Sequence, residues 1–347
     1  MCRCLHPIIR GAGDAPIPPI ERAVSLRILF FGTPEFAVPT LQKLIDSDHE
    51  IVGVVTRADK PTGRGRKIAA PPIKELAVEN GLSVLQPENI KTEEFAQAVA
   101  ALQPDIAVVV AYGKILPKRL LETPRFGCLN IHASLLPAYR GAAPIQWSIV
   151  RGERKTGVTI MQMNEGLDTG PIIATEQIDI LDDDDAISLA NLLSYAGAGL
   201  LMDVLAKIEA DQRVDSTPQV EEGASLAPLI KREMARIDWS KKADEVICSV
   251  RGFVAWPKAF TTIDGTELKV TGADGWDPSW VPATAFDKRV LPGTVIELAT
   301  GRGIVVRSGG GRGLVLLTRV QPPGSAEMDA QDYVNGGSVQ VGTVLGK

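Results

Sequence analysis

Phe126-Gly127-Cys128-Leu129-Asn130-Ile131-His132 reads as a buried strand whose last polar residues emerge at its carboxyl end. Side chains alternate along a strand with period two, so Asn130 and His132 point to one face. That sets an amide donor beside an imidazole. A carboxylate from a second, glycine-bounded loop completes a trio able to polarise a carbonyl and manage one proton. Gly166-Leu167-Asp168-Thr169-Gly170 is such a loop. Taken singly these residues are ordinary: a histidine near a strand end is usually structural, and Asn, Asp and Gly favour turns.

Upstream of this strand the chain alternates short apolar strands with helices. Leu26 to Phe31 is the first strand; Thr33 is the expected N-cap and Pro34 the first-turn proline of a helix running to about Ile45. Ile51–Thr56, Ser83–Leu85 and Ile106–Val110 read as further strands, and Ile73–Glu79 and Thr92–Leu102 as helices. Continuous apolar strands separated by helices indicate a parallel sheet covered on both faces. The first turn carries Gly32 and no GxGxxG fingerprint, which argues against a dinucleotide cofactor.

Downstream, Ala143–Arg151 reads as a helix, Gly157–Met163 as a strand and Ala186–Ala210 as a core-facing helix with leucines at helical spacing. The acidic run Asp182–Asp185 is expected to be a solvated helix start, because adjacent carboxylates diverge. Polar residues broken by Pro218, Gly223 and Pro228 then read as a linker. Short strands with tight turns follow, at Phe260–Ile263, Glu267–Val270, Gly293–Leu298, Gly303–Arg307 and Leu314–Val320.

The expected class is therefore α/β. A Rossmann-like, mostly parallel sheet occupies residues 26–210, a linker 211–230, and an OB-like β-barrel domain 231–347. Residues 1–25, rich in Pro and Gly, are expected to be a disordered, dispensable extension.

Composition narrows the function. The chain has 347 residues and a net charge of −5, which argues against a globally basic nucleic-acid binder. From Lys231 onward 15 Lys and Arg stand against 13 Asp and Glu, so the second domain is the less acidic part. Four cysteines and three histidines, without tight ligand spacing, form neither a disulfide framework nor a metal site. No apolar run approaches the roughly 20 residues a membrane span requires. One loop stands out: from Asp59 to Lys67 it carries four cations, Lys60, Arg64, Arg66 and Lys67, against one anion. On charge alone it is a solvated surface loop.

Asn130-x-His132, Ser134-Leu135-Leu136-Pro137, Arg140-Gly141 and Gly166-Leu167-Asp168-Thr169-Gly170, in this order, resemble the folate-dependent formyltransferases. Segments Ile28–Phe36, Gly63–Lys67, Val109–Gly113, Thr156–Met161, Ala235–Trp239 and Trp256–Pro257 are similar to the branch acting on methionyl-tRNA. The resemblance implies formyl transfer from 10-formyltetrahydrofolate, a co-substrate, to the amino group of initiator methionyl-tRNA. It implies catalytic roles for Asn130, His132 and Asp168, a folate-binding turn at Ser134, Leu135, Leu136 and Pro137, and a tRNA-binding loop with Arg64, Arg66 and Lys67. No metal, no membrane, a cytoplasmic location and a monomer are the further expectations, and the sequence leaves the oligomeric state open. Asp168 orients or charges His132, or takes the amine proton through water; the sequence leaves these open. Three other readings remain: a sugar-nucleotide or small-amine acceptor, hydrolysis of formyl-folate, and an RNA-binding module without turnover.

Overall fold

The computed structural model describes residues 25–62, 67–337 and 339–347. Residues 1–24 of the extension expected over residues 1–25, and the loop residues Arg64 and Arg66, lie outside the described residues.

The chain enters through β1 (Arg27–Gly32), α1 (Val38–Ile45) and β2 (Glu50–Val55). The short antiparallel pair β3 (Lys60–Thr62) and β4 (Lys67–Ala69) leads to α2 (Pro72–Glu79), β5 (Val84–Leu85), α3 (Glu93–Ala101) and β6 (Ile106–Val110). Then come α4 (Lys118–Leu121), β7 (Cys128–His132), β8 (Arg140–Gly141), α5 (Pro144–Val150), β9 (Lys155–Gln162), β10 (Ile172–Asp179) and α6 (Ala186–Asp211).

Seven strands form one sheet in the order β10-β9-β7-β6-β1-β2-β5. From β7 to β5 every pairing is parallel, whereas β9 and β10 run antiparallel and close one edge. Period-two alternation divides the core between the faces. Ile28, Phe30, Val108, Leu129 and Ile131 pack with α1, α2 and α6 on one side. Leu29, Phe31, Ala107, Val109 and Cys128 pack with α3 and α4 on the other. Burying apolar surface at about 25 cal/mol per Å² on both faces makes this sheet the stable frame.

Two local expectations need correction. Thr33 does not cap a helix: a 3-10 turn over Glu35–Ala37 intervenes, and α1 starts at Val38 with no side-chain cap. Pro39, in the first turn of α1, takes the role expected of Pro34. And α6 is long and apolar enough to cross a membrane by length and composition, although interspersed Ser, Asn and Gly hide this in the sequence. Its Leu189, Leu193, Leu201 and Leu205 are buried in the core, which accounts for its composition. Asp185 caps this helix, accepting from the backbone of Ile187 and Ser188 in a capping box, so the acidic run is indeed a helix start.

Past α6, residues 212–230 do not merely bridge. Thr217 pairs with Ile172, and β11 (Leu226–Ala227) lies parallel to β8. In the second domain Ile237 and Trp239 join the core ahead of α7 (Ala243–Gly252), which is followed by β12 (Ala259–Ile263), β13 (Thr266–Gly275), β14 (Val295–Ala299), β15 (Gly303–Arg307), β16 (Leu314–Gln321), β17 (Met328–Asp329) and α8 (Ala330–Asn335). These strands pair antiparallel in the order β12-β13-β16-β15-β14, with β17 added to β16. Phe253, following α7, is buried in a small core with Ala143 and Ile230, against Trp147 and Val150 of α5. A Cβ on Gly252 would stand 2.5 Å from the Val150 side chain, so the glycine permits the close approach of α7 to α5.

Candidate active site

The site grows from the carboxyl end of β7. Asn130 lies beside Val109 of β6 and Met161 of β9, and His132 beside Thr159. Between them Ile131 turns to the opposite face, where its Cγ2 leaves no room for a Cβ on Gly197 of α6. Asn130 and His132 thus share the face that opens into a cleft.

His132 is 5% exposed. Its Nε2 is 2.9 Å from the carbonyl oxygen of Tyr139. A carbonyl only accepts, so Nε2 carries a proton and donates it. That leaves Nδ1 toward Asp168, whose Oδ2 is 3.8 Å away. Tyr139 is itself fixed: its backbone N–H donates to Ser225 Oγ at 2.9 Å and its phenol donates to Glu153 at 2.5 Å. Burial and the Glu153 carboxylate push that phenol up to about 12. Asn130 is half-buried in the same cleft, and its amide has no hydrogen-bond partner among the described residues.

Asp168 comes from the loop between β9 and β10. Its backbone is left-handed, at φ +52°. Oδ2 accepts from the backbone N–H of Gly141 at 2.8 Å, while the Asp168 carbonyl accepts from Gln219 Nε2 at 2.8 Å. Gly141 sits at φ +126°, where a Cβ would meet the Ala227 carbonyl at 2.6 Å. Glycine is required there because β8 and β11 run so close. The neighbouring Arg140, 7% exposed, donates to Gln219 Oε1 and to Glu221.

The cleft encloses about 770 Å³, within the range usual for small-molecule sites. Apolar residues dominate its wall, among them Phe36, Val109, Met161 and Met163. At its mouth Ile115, Leu167, Leu226 and Leu229 stay largely exposed; Leu229 is 69% exposed. Among the described residues no group of His, Cys, Asp and Glu is arranged to hold a metal.

Of the sequence-derived positions, Asn130, His132 and Asp168 come together in this cleft. Ser134, Leu135, Leu136 and Pro137 are not on its wall. They form a tight turn behind His132. Ser134 Oγ donates to Ala138 O at 2.6 Å, and Thr159 Oγ1 accepts from Leu136 N and donates to Ser134 O. Lys67 opens β4. What sequence reasoning missed is the contribution of the linker: Gln219 and Ser225 hold the site, and Leu226, Pro228 and Leu229 line it. The one signal available was the apolar pair Leu226-Ala227 inside a polar stretch.

An unpartnered amide, an imidazole with one nitrogen committed, and a carboxylate at one apolar cleft suit acyl transfer through an oxyanion. Comparison with known proteins agrees. The formyl transferase family matches residues 26–205, and the formyl transferase C-terminal domain matches residues 229–338. The methionyl-tRNA formyltransferase of Bacillus pumilus is 45% identical over 320 residues, covering 92% of this chain and 98% of its own. That of Bacillus subtilis is 44% identical with the same coverage. The solved N-formyltransferase of Helicobacter canadensis, in complex with folinic acid and dTDP-3-aminofucose, superposes with a TM-score of 0.63 at 18% identity, covering 84% of this chain and 98% of that one. That last likeness speaks for the fold alone. With both domains matched and relatives of this identity aligned along nearly their whole length, the chain belongs to the methionyl-tRNA formyltransferase family.

Proposed function

We propose that Asn130, His132 and Asp168 are the catalytic residues with which this chain transfers the formyl group of 10-formyltetrahydrofolate to the α-amine of methionyl-tRNA. The amine nitrogen attacks the formyl carbon and a new C–N bond forms. The formyl oxygen becomes an oxyanion in the tetrahedral intermediate. The bond from carbon to N10 of the folate then breaks, and the proton lost by the amine ends on N10. No nucleophilic side chain is needed, because the amine is the nucleophile.

Each residue has one task. The free amide of Asn130 donates to the oxyanion, a contact that forms as charge develops. His132 spends Nε2–H on the Tyr139 carbonyl, so Nδ1 is the nitrogen that exchanges a proton with the reacting groups. Asp168, 3.8 Å away, sets the direction of that nitrogen. The observation that carries the reading is this pairing of Nδ1 with Asp168 across a cleft that also holds an unpartnered Asn130 amide.

The Ser134–Pro137 turn is flanked by cleft residues on both sides, Ala133 before it and Arg140–Ala142 after it, and we assign it to the border that meets the folate. Arg64, Arg66 and Lys67 are assigned to phosphates near the acceptor end of the tRNA, where cations grip the backbone without reading sequence. The reaction is assigned to the cytoplasm and to a monomer.

The test supplies labelled 10-formyltetrahydrofolate with charged initiator tRNA, charged elongator tRNA or an amino-sugar nucleotide. Label should pass to the methionyl α-amine of the initiator tRNA. Transfer only to the sugar, or release of formate with no amine present, overturns the assignment.

A further inference from the structure

We propose that Gln219, from the segment following α6, is a positioning residue for the transfer: its carboxamide sets the backbone at Asp168 and so aims that carboxylate at His132. The inference rests on the role assigned to Asp168 above.

Asp168 holds a left-handed backbone, at φ +52°, which a non-glycine residue keeps only where its surroundings impose it. Gln219 imposes it. Nε2 donates to the carbonyl oxygens of Asp168 at 2.8 Å and of Gly170 at 2.7 Å, so both amide hydrogens are used. On the other side Oε1 accepts from Arg140, at 2.8 Å from Nη2 and 3.1 Å from Nε. A guanidinium only donates and a carbonyl only accepts, so the carboxamide has a single satisfactory orientation.

The restraint forms a closed ring. Arg140 holds Gln219, Gln219 holds the Asp168 backbone, and Gly141, next to Arg140, holds the Asp168 carboxylate through its N–H at 2.8 Å. Gly170 adds stiffness: a Cβ there would lie 1.8 Å from the Gln162 carbonyl. Glu221 also meets Arg140, at 3.3 Å, but its side chain is 82% exposed and solvated, so it cannot replace Gln219. Gln219 is not on the cleft wall and acts only through Asp168. A displacement of about 1 Å at reacting groups costs on the order of 10² in rate.

Gln219→Glu separates positioning from anchoring. It keeps an acceptor for Arg140 but loses both donors and sets an oxygen against two carbonyl oxygens. Gln219→Glu and Gln219→Ala should each lower kcat about 10²-fold, with KM for folate and methionyl-tRNA and the Tm near those of the parent. Wild-type kcat in Gln219→Glu reduces the residue to a tie for Arg140 and overturns the proposal. The backbone 1H–15N resonance of Gly141 gives a readout independent of turnover, because its proton lies in the bond to Asp168. In Gln219→Glu it should move to the position it takes in Asp168→Ala; an unmoved resonance overturns the proposal. In the Asp168→Ala background Gln219→Glu should leave the residual single-turnover rate within about twofold, whereas a further tenfold loss overturns it. Wild-type turnover in Asp168→Ala itself would overturn the role of Asp168. An impaired Asp168→Ala beside a wild-type Gln219→Glu overturns only the present inference.

Discussion

Nδ1 of His132 lies 3.8 Å from Oδ2 of Asp168, while Nε2 of the same ring is committed to the Tyr139 carbonyl. One ring nitrogen is therefore a fixed anchor and the other faces the Asp168 carboxylate. The histidine is aimed by backbone at one end and by a carboxylate at the other.

Asn130→Ala removes a donor that the folded chain leaves unpaired. Single-turnover formyl transfer should fall about 10²–10³-fold, the usual cost of one oxyanion donor. Filter binding of methionyl-tRNA should stay within about twofold. Loss of tRNA affinity in parallel with rate would give Asn130 a binding role.

Arg64→Ala should weaken methionyl-tRNA binding and flatten the slope of log affinity against log salt by about one phosphate contact. Binding measured from low to moderate salt reads both effects. An unchanged slope returns the loop to a solvated surface stretch.

Asp185→Ala deletes the side chain that accepts from Ile187 and Ser188 at the start of α6. Loss of such a cap costs about 1 kcal/mol, read as a lower urea midpoint with an unchanged m-value. Turnover at 25 °C should not change, because α6 supports the sheet and leaves the trio in place.

Tyr112 is buried with its hydroxyl unpartnered, and burial pushes that phenol up to about 12. The unfolded chain ionises its tyrosines near 10. A group whose pKa is raised on folding contributes stability below the unfolded value and loses it as pH climbs toward the folded one. Tyr112→Phe should therefore match or exceed the parent in stability at pH 8, and lose less between pH 10 and 12. Denaturant midpoints at the three pH values check this; an equal alkaline loss in both proteins would contradict it.

Much of this fold can be read from local pattern, because its strands are buried on both faces. Ile106–Val110 is an unbroken apolar run, and the structure forms a strand over those same residues. The helix expected over Thr92–Leu102 forms as α3 over Glu93–Ala101, with Thr92 as the cap through its hydroxyl. The trio is legible for a different reason: period-two spacing puts Asn130 and His132 on one face by geometry alone. Asp168 is reached only through its glycine-bounded motif, since nothing local to that loop says which strand end it meets. Gln219 and Ser225 were illegible, and Leu226 showed only as an apolar residue in a polar stretch. Their partners are backbone groups of Tyr139, Arg140 and Asp168, distant in sequence, and a polar segment that hydrogen-bonds to another loop looks the same as one that faces water. Thr33 misled because cap preference is local, whereas the start of α1 is set by the 3-10 turn before it.

The decisive measurement is the single-turnover rate of formyl transfer by His132→Ala, taken at saturating 10-formyltetrahydrofolate and methionyl-tRNA. A rate at least about 10²-fold below the parent, with methionyl-tRNA affinity unchanged, is the expected result. A parental rate would contradict the assignment of the imidazole to the proton transfer, and with it the chemistry assigned to the cleft.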